Sequence, residues 1–364
     1  MSDTTTQTEN INIAAQRVLA SPAALKEALP ASEAIRTSVK SHRETINRVL
    51  TGVDHRLIVV VGPCSIHNID EAMEYAHKLR ALTDSVSDNL IVVMRAYFEK
   101  PRTTVGWKGL INDPFLDDSF RIEAGLQMAR KLLLDIADLG LPLATEALDP
   151  ITPQYLHDLI SWTAIGARTT ESQTHRELAS GLSAPVGFKN GTDGGLDVAL
   201  NALQSVTHQH RFLGLNESGQ VAITTTRGNP GAHIVLRGGS TGPNFEAPAI
   251  ARCETALQEN GLPNNIMVDC SHANSSKDHN RQVGVGQNIV EQIMAGNTSI
   301  IGLMYESNLA AGRQNLVPGE TLAKGVSITD ACISFEQTEE SLKELSSTLG
   351  EVLRTRKRNA YRAA

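Results

Sequence analysis

Eight short apolar runs, rich in β-branched residues, divide the chain from residue 57 onward. They cover residues 57–63, 90–96, 141–147, 163–167, 185–190, 233–239, 266–272 and 299–307. Continuous rather than alternating runs are typical of parallel strands that are buried on both faces of a sheet. Together with the helical patterns between them, they predict an α/β fold, the (β/α)8 TIM barrel. An open doubly wound sheet is the alternative, but Gly-Pro-Cys-Ser after the first run is not its glycine fingerprint.

Amphipathic stripes predict the helices between these strands. The clearest covers residues 118–139, where apolar side chains recur on one face and Gly140 follows as a C-terminal stop. Further helices are predicted near 69–83, 195–206, 246–260, 281–295 and 339–354. The connection 211–227 instead alternates apolar and polar residues around Asn-Glu-Ser-Gly-Gln, which predicts an inserted β-hairpin.

Residues 1–56 have a different pattern from the rest of the chain. A polar tip precedes two predicted helices, 11–29 and 31–51, which Pro30 separates. Their apolar stripe must be buried on the chain's own barrel or on a neighbouring subunit. We therefore expect three regions: a regulatory or oligomerisation extension (1–56), the barrel with its hairpin (57–335), and a C-terminal helix and tail (336–364).

The composition narrows the class of protein. With 41% hydrophobic and 20% charged residues, the chain can bury a large core. A net charge of −7 and only 4% aromatic residues argue against nucleic-acid binding. No apolar run reaches the roughly 18 residues of a membrane span, and the start lacks the order of a signal peptide. The four cysteines form no CxxC pair, so we expect a cytoplasmic protein that acts on small molecules.

The ends of the predicted strands carry many reactive side chains, and in a parallel barrel these ends form the active face. Strand 3 ends in Glu146. Cations end or follow strands 2, 4, 5 and 6, namely Arg95, Lys100, Arg102, Arg168, Lys189 and Arg237. Because guanidinium groups bind phosphate and carboxylate oxygens bidentately, this cluster predicts one or two phosphorylated substrates.

A second group of side chains lies on strands 1, 7 and 8. Cys64, His272 and Glu306 stand at the ends of these strands, and Asp330 follows the last one. Closure of the barrel makes strand 8 the neighbour of both strand 7 and strand 1, so these distant residues become adjacent. One thiolate, one imidazole and two carboxylates suit a single divalent ion: Mn, Fe, Co or Zn.

Several long motifs resemble those of a known family. VGPCSIHN, MRAYFEKPRTTVGWKG, ATEALDP, VDCSHANSSKDHNRQ and IIGLMYESN are similar to motifs of the microbial class I 3-deoxy-D-arabino-heptulosonate 7-phosphate (DAHP) synthases. The resemblance reaches from the N-terminal extension to about residue 335. It implies a metal-dependent barrel enzyme that condenses phosphoenolpyruvate with erythrose 4-phosphate and water, giving DAHP and phosphate. This reaction opens the shikimate pathway to the aromatic amino acids.

The resemblance also implies roles for single residues. The implied metal ligands are Cys64, His272, Glu306 and Asp330. The implied phosphoenolpyruvate contacts are Arg95, Lys100, Glu146, Ala167, Arg168, Lys189 and Arg237, and the erythrose phosphate contacts are Arg102 and Thr103. Lys100 is the candidate proton donor, and Glu146 is the candidate for orienting or deprotonating the water. The loop Lys-Pro-Arg-Thr favours the seven-carbon product over that of the sister synthase, which has a KANR-type loop.

The family is feedback-inhibited by phenylalanine, tyrosine or tryptophan in a pocket away from the active site. The matching positions are Asn10, Pro150, Gln154 and Ser183. Asn10 and Pro150 favour tyrosine as the effector, because an amide can pair with a phenol and a compact proline leaves room for it. The extension suggests subunits that meet, so we expect a homo-oligomer, a dimer or a tetramer.

Two other functions stay open at this point. Lys189 is predicted on a central strand, where the Schiff-base lysine of an aldolase would lie. A non-catalytic phosphosugar sensor on the same barrel is the other alternative, but it would require a missing ligand or cation, and the pattern has none missing.

Overall fold

Eight parallel strands form a closed barrel in the computed structural model, which describes residues 8–102, 104, 106–317 and 319–356. In chain order the strands are β1 (Leu57–Gly62), β2 (Leu90–Arg95), β3 (Leu143–Glu146), β4 (Trp162–Ile165), β5 (Val186–Lys189), β6 (Arg211–Leu215), β7 (Val221–Thr225), β8 (Ala232–Leu236), β9 (Ile266–Asp269) and β10 (Ile300–Glu306), of which β6 and β7 lie outside the barrel. The order around the barrel is β1-β10-β9-β8-β5-β4-β3-β2. The register between the first and last strands runs from Ile58 opposite Gly302 to Gly62 opposite Glu306. The predicted TIM barrel is confirmed, and every predicted strand overlaps an observed one.

Helices connect most consecutive strands and cover the outside of the barrel. They are α1 (Pro22–Ala28), α2 (Glu33–Leu50), α3 (Ile69–Val86), α4 (Ile122–Asp138), α5 (Thr152–Leu156), α6 (Gln173–Gly181), α7 (Asp197–Val206), α8 (Ala247–Glu259), α9 (Gln282–Met294) and α10 (Phe335–Thr355). The apolar stripe of α4 is buried, and Gly140 follows it at φ 80°, as a helix stop requires. The short helices α5 and α6 were not predicted, because neither carries an extended apolar stripe.

The strands β6 and β7 form the predicted hairpin, which is antiparallel from Arg211 opposite Thr225 to Leu215 opposite Val221. Gly219 adopts φ 78° in its turn, a conformation that favours glycine. Alternate residues of the hairpin are highly exposed, so one of its faces is apolar and points to solvent. These residues are Leu213, Val221 and Ile223.

The predicted helix over 11–29 is wrong in its first part, since only α1 within it is helical. Ser21 caps α1 and Pro22 is its first residue. A proline disfavours helical backbone in the residue before it, so the helix cannot extend further towards the N-terminus. Val18 on this non-helical stretch is 93% exposed, so this apolar side chain does not pack against the described part of the chain.

Helix α2 begins after Ser32, whose hydroxyl accepts the Ile35 N–H as a cap, and it closes one end of the barrel. Its apolar C-terminal residues belong to the same buried cluster as the side chains inside the barrel. Arg43 donates to the carbonyl of Ile160, just before β4, and Asn265, just before β9, donates to the carbonyl of Leu50. The N-terminal end of the barrel is therefore filled, and the opposite end is left for a site.

Candidate active site

The C-terminal ends of the strands bring charged side chains into the barrel, as the sequence predicted. Arg95, Lys189 and Glu306 end β2, β5 and β10, and their exposed fractions are 0%, 5% and 0%. Because buried charges are costly unless they are paired, each of them should have a partner of opposite charge. The structure shows two such ion pairs.

The first pair joins Arg95 Nη2 to Glu306 Oε1 at 3.1 Å. Arg95 also donates to the carbonyl of Pro63 and contacts Met304 Sδ at 3.0 Å, while its guanidinium stacks on the ring of Tyr97 at 3.9 Å. Burial opposes ionisation of Glu306, but the charges of His272, Arg95 and Lys100 outweigh it and lower the pKa to about 2. Glu306 is therefore a carboxylate at neutral pH.

The second pair joins Lys189 Nζ to Asp269 Oδ2 at 2.8 Å, and His272 Nδ1 lies 2.9 Å from the same oxygen. Burial opposes ionisation of Asp269, but His272 and Lys189 together hold its pKa well below the usual value. His272 adopts φ 56°, a strained conformation for a residue with a side chain, which is found preferentially at functional sites. This ion pair with Asp269 would have to break before Lys189 could attack a carbonyl carbon, so the geometry does not favour the Schiff-base alternative.

Three of the four predicted metal ligands come together. The candidate ligand atoms of Cys64, Glu306 and Asp330 all lie within 4.8 Å of one another. His272 is not one of these three, but its Nε2 is 3.9 Å from Glu306 Oε1. A thiol and two carboxylates beside an imidazole fit a borderline divalent metal ion.

Lys100 lies against this group, and its Nζ is 3.0 Å from Cys64 Sγ. Burial and the charge of Glu306 raise the pKa of the Cys64 thiol to about 11, although the charge of Lys100 opposes the shift. For Lys100 itself, burial lowers the pKa, but Cys64 and Glu306 outweigh burial and leave it raised. The lysine is thus an ammonium that can hold or donate a proton next to the metal-ligating set.

The other predicted substrate residues lie nearer the rim. Ala167 and Arg237 are half-buried, Arg168 is exposed, and Arg102 is exposed with its Nε donating to the Trp107 carbonyl at 2.8 Å. Thr103 lies outside the described residues. The Glu146 carboxylate covers Gly166 so closely that a Cβ there would stand 2.3 Å from Oε1. A residue with a side chain at position 166 would therefore displace Glu146.

The predicted effector positions lie apart from this group, around the N-terminal extension and α5. Asn10 and Pro150 are exposed, Gln154 is half-buried in α5, and Ser183 is exposed just after α6. Tyr155 in α5 donates its hydroxyl to the carbonyl of Ala20 at 2.8 Å. At the hairpin turn, the carbonyl of Glu217 accepts the Ala23 N–H at 2.8 Å. The extension, α5 and the hairpin turn are thus directly connected.

Two further observations concern the class of protein. Within the described ranges, no helix is both long enough and apolar enough to cross a membrane. All four cysteines, Cys64, Cys253, Cys270 and Cys332, are buried and free.

The sequence reasoning missed three residues of this site. Asp269 was passed over as part of an apolar strand, although its spacing of three residues from His272 was visible in Val-Asp-Cys-Ser-His. Ser271 donates to Glu306 Oε2 at 2.8 Å. Tyr97 was hidden in the motif after β2, and no sequence pattern shows that its ring would stack on Arg95.

Comparison with known proteins places the chain in a family. The model of the DAHP synthetase I family matches residues 31–343. The Tyr-sensitive phospho-2-dehydro-3-deoxyheptonate aldolase of Escherichia coli is 55% identical over 348 residues, which cover 95% of this chain and 98% of that protein. The Phe-sensitive protein of the same organism is 53% identical over 343 residues, which cover 94% and 98%.

A solved structure agrees with these relatives. The phospho-2-dehydro-3-deoxyheptonate aldolase of Francisella tularensis superposes with a TM-score of 0.91 at 47% identity, covering 95% of this chain and 99% of that one. The chain is a TIM-barrel enzyme and belongs to the DAHP synthetase I family. The predictions of family, fold and synthase activity are confirmed.

Proposed function

We propose that the chain condenses phosphoenolpyruvate with erythrose 4-phosphate and water, forming DAHP and phosphate. The observation that carries this proposal is the convergence of Cys64, Glu306 and Asp330 beside the Lys100 ammonium at the open end of the barrel. The names of the relatives support the same activity.

The reaction joins C3 of phosphoenolpyruvate to the aldehyde carbon of erythrose 4-phosphate. The new alkoxide takes up a proton, water adds to C2 of the enolpyruvate unit, and the tetrahedral adduct expels phosphate by cleavage of the C–O bond. A divalent ion held by Cys64, His272, Glu306 and Asp330 would supply Lewis-acid polarisation of an aldehyde oxygen. We assign the proton donation to Lys100, and the orientation or deprotonation of the water to Glu146.

The remaining cations serve the two anionic substrates in this proposal. Those assigned to phosphoenolpyruvate are Arg95, Arg168, Lys189 and Arg237, together with the Ala167 backbone. Arg102 and Thr103 are assigned to the phosphate of erythrose 4-phosphate. The ion pairs of Arg95 and Lys189 support this division, because they fix two cations in the floor of the site before substrate arrives.

Chelation and reloading test the function directly. Treatment with a chelator should abolish turnover of the two substrates, and Mn²⁺ should restore it. His272→Ala should lose metal content and activity together, whereas Cys253→Ser, which changes a buried thiol outside the site, should lose neither. Full turnover by metal-free protein would contradict the mechanism. The natural metal among Mn, Fe, Co and Zn follows from the metal content of protein purified without added metal.

We further propose that an aromatic amino acid regulates the enzyme through Asn10, Pro150, Gln154 and Ser183, with tyrosine as the effector. The contacts of the extension with α5 and the hairpin turn support a role for residues 1–56 in this regulation. Tyrosine should inhibit the full chain more strongly than phenylalanine or tryptophan, and Asn10→Ala should weaken that inhibition while sparing turnover. Equal inhibition by all three amino acids, or by none, would contradict this assignment.

We also propose a homo-oligomer, a dimer or tetramer, in the cytoplasm. Exposed apolar residues on the extension and on the hairpin, such as Val18 and Leu213, support contact between subunits. The four free cysteines support a reducing compartment. The division into an extension (1–56), a catalytic barrel (57–335) and a C-terminal helix and tail (336–364) belongs to the same proposal. Analytical ultracentrifugation of the full chain measures how many subunits the oligomer contains.

A further inference from the structure

One polar atom in the floor of the site has no partner. Tyr97 follows β2 by two residues, is 1% exposed, and belongs to the cluster of side chains that fills the barrel interior. Among the described residues, its hydroxyl oxygen is buried without a hydrogen-bond partner. Buried hydroxyl groups are nearly always hydrogen-bonded, so an unpaired one needs an explanation.

The other tyrosines in the described chain do not share this feature. Tyr75 donates to Ser307 Oγ at 2.9 Å, and Tyr155 donates to a backbone carbonyl. The Tyr305 hydroxyl accepts from Ser341 at 3.4 Å. The unpaired phenol therefore occurs where the proposed substrate site lies, and not at the buried tyrosines elsewhere.

The surroundings of Tyr97 are those of the active site. Its ring carries the Arg95 guanidinium at 3.9 Å, and Lys100 Nζ lies 5.6 Å from the ring centre. Burial raises the pKa of the phenol, and the charges of Glu146 and Glu306 add to the shift, although the charge of Arg95 opposes it. The hydroxyl is therefore a neutral donor at physiological pH.

The two cations beside Tyr97 already donate N–H groups to acceptors of the protein itself. Arg95 donates to the Pro63 carbonyl, to Met304 and to Glu306, and Lys100 donates to Cys64. A substrate oxygen with a negative charge would be attracted by these two cations, but it would find few N–H groups there that are free to donate a hydrogen bond. The Tyr97 hydroxyl is the donor of this trio that has no acceptor yet.

We propose that the Tyr97 hydroxyl donates a hydrogen bond to the carboxylate of phosphoenolpyruvate. The carboxylate is the smaller of the two anionic groups of that substrate, so it suits the floor of the site, where Tyr97 is buried. The bulkier phosphate suits the rim, where Arg168 is exposed and Arg237 is half-buried. This inference rests on the proposed function and adds a recognition contact to it.

The test removes the hydroxyl and keeps the ring. Tyr97→Phe in the Mn²⁺-loaded enzyme should raise the Kd for phosphoenolpyruvate about 10- to 100-fold, as expected for a lost hydrogen bond to a charged group. The Kd for inorganic phosphate should stay within about twofold, since the phosphate end makes no contact with Tyr97. The melting temperature should not fall, because the variant loses no hydrogen bond of the free protein. Tyr75→Phe is the matched control: it removes a paired phenol of equal burial, so it should lower the melting temperature and leave both Kd values unchanged.

Three outcomes would overturn the assignment: an unchanged Kd for phosphoenolpyruvate in Tyr97→Phe, an equal loss of phosphate affinity, or a fall in kcat at unchanged affinity, which would place the hydroxyl on the attacking water. Failure of the proposed function looks different. In that case the wild-type enzyme itself would neither bind nor turn over phosphoenolpyruvate.

Discussion

The N-terminal end of the barrel is closed by Ile46, Val49 and Leu50 of α2, which pack into the same cluster as the apolar side chains of the strands. The C-terminal end of the same strands instead buries the ion pairs Arg95–Glu306 and Lys189–Asp269. The N-terminal end also contains a buried polar pair without charge. At the N-terminal end, His233 accepts from Trp162 Nε1 at 3.1 Å, and burial lowers its pKa to about 4, so it is neutral.

This difference indicates that the N-terminal end of the barrel contributes stability and the C-terminal end contributes binding. Apolar packing stabilises a fold without special geometry, whereas a buried ion pair gains little net stability over apolar side chains of the same shape. The two fully buried ion pairs at the C-terminal end are therefore explained by what they bind rather than by the stability they add. The strained backbone of His272 occurs at that same end.

The largest effect is expected at the charged end, from Glu306→Gln. This change keeps the shape but removes the carboxylate that Arg95, Ser271 and the metal-ligating group share. Leaving Arg95 buried without its partner should lower the free energy of unfolding by about 3–5 kcal/mol. Turnover should fall below detection, with loss of bound metal. Urea unfolding, metal analysis and an activity assay measure these three effects.

Glu74→Gln is the matched control for that change. Glu74 pairs with Lys324 on the surface, where ion pairs contribute little. It should leave stability and turnover as in the wild type. A Glu306→Gln protein that keeps its metal and its activity would show that the charged end is structural.

A change at the apolar end should separate stability from activity. Ile46 is fully buried, so Ile46→Ala should lower the free energy of unfolding by about 2–5 kcal/mol through lost apolar contact and the cavity left behind. Well below the melting temperature, kcat and both KM values should stay unchanged. Val53→Ala, at a 64% exposed position, should affect neither quantity. A parallel loss of kcat in Ile46→Ala would mean that the two ends are coupled.

Most of the fold could be predicted, because a parallel barrel needs strands that are apolar on both faces and such runs are visible in the sequence. The helix over 11–29 was wrong because periodicity shows an apolar face but not the surface that would bury it. Helix α5 was missed because it is only 5 residues long and contains Pro153.

The site could be predicted only as far as strand ends define it. Cys64 and Glu306 follow from barrel closure, which brings the first and last strands together. The partner of Lys189 did not follow, since the predicted run 266–272 ends at His272, whereas β9 ends at Asp269, which pairs with Lys189 across the barrel interior. The unpaired hydroxyl of Tyr97 did not follow either, because it depends on which acceptors surround the side chain in the folded protein, and the sequence does not show them.

A smaller effect is expected at the rim of the charged end, where Arg102 is exposed. Arg102→Ala should raise the KM for erythrose 4-phosphate about 10- to 100-fold, as for a lost hydrogen bond to a charged group. It should leave the KM for phosphoenolpyruvate and the stability almost unchanged. Arg168→Ala should show the reverse preference for the two substrates. Equal losses towards both substrates from both variants would mean that the subsites are assigned wrongly.

The last effect is a pH dependence of stability, expected from Glu99, a 7% exposed carboxyl in the loop after β2. Burial raises its pKa to about 8 from an ordinary value of 4.5, and the charges of Asp149 and Glu146 add to the shift. Between these two pKa values the folded state holds a proton that the unfolded state has released. The free energy of unfolding therefore falls as the pH rises through that window.

Glu99→Gln removes this titration while keeping the shape of the protonated acid. At about pH 4.5 or below the two proteins should melt at similar temperatures, because the wild-type carboxyl is then largely protonated in both the folded and the unfolded state. As the pH rises from 4.5 to about 8 the wild type should lose stability relative to Glu99→Gln, so Glu99→Gln should melt higher at neutral pH and keep that margin above about pH 8. Glu259→Gln, at an exposed position, should follow the wild-type curve at every pH. Parallel melting curves for Glu99→Gln and wild type from about pH 5 to about pH 8 would show that Glu99 is ionised in the folded protein. The charged end would then contain one more unneutralised carboxylate than its geometry indicates.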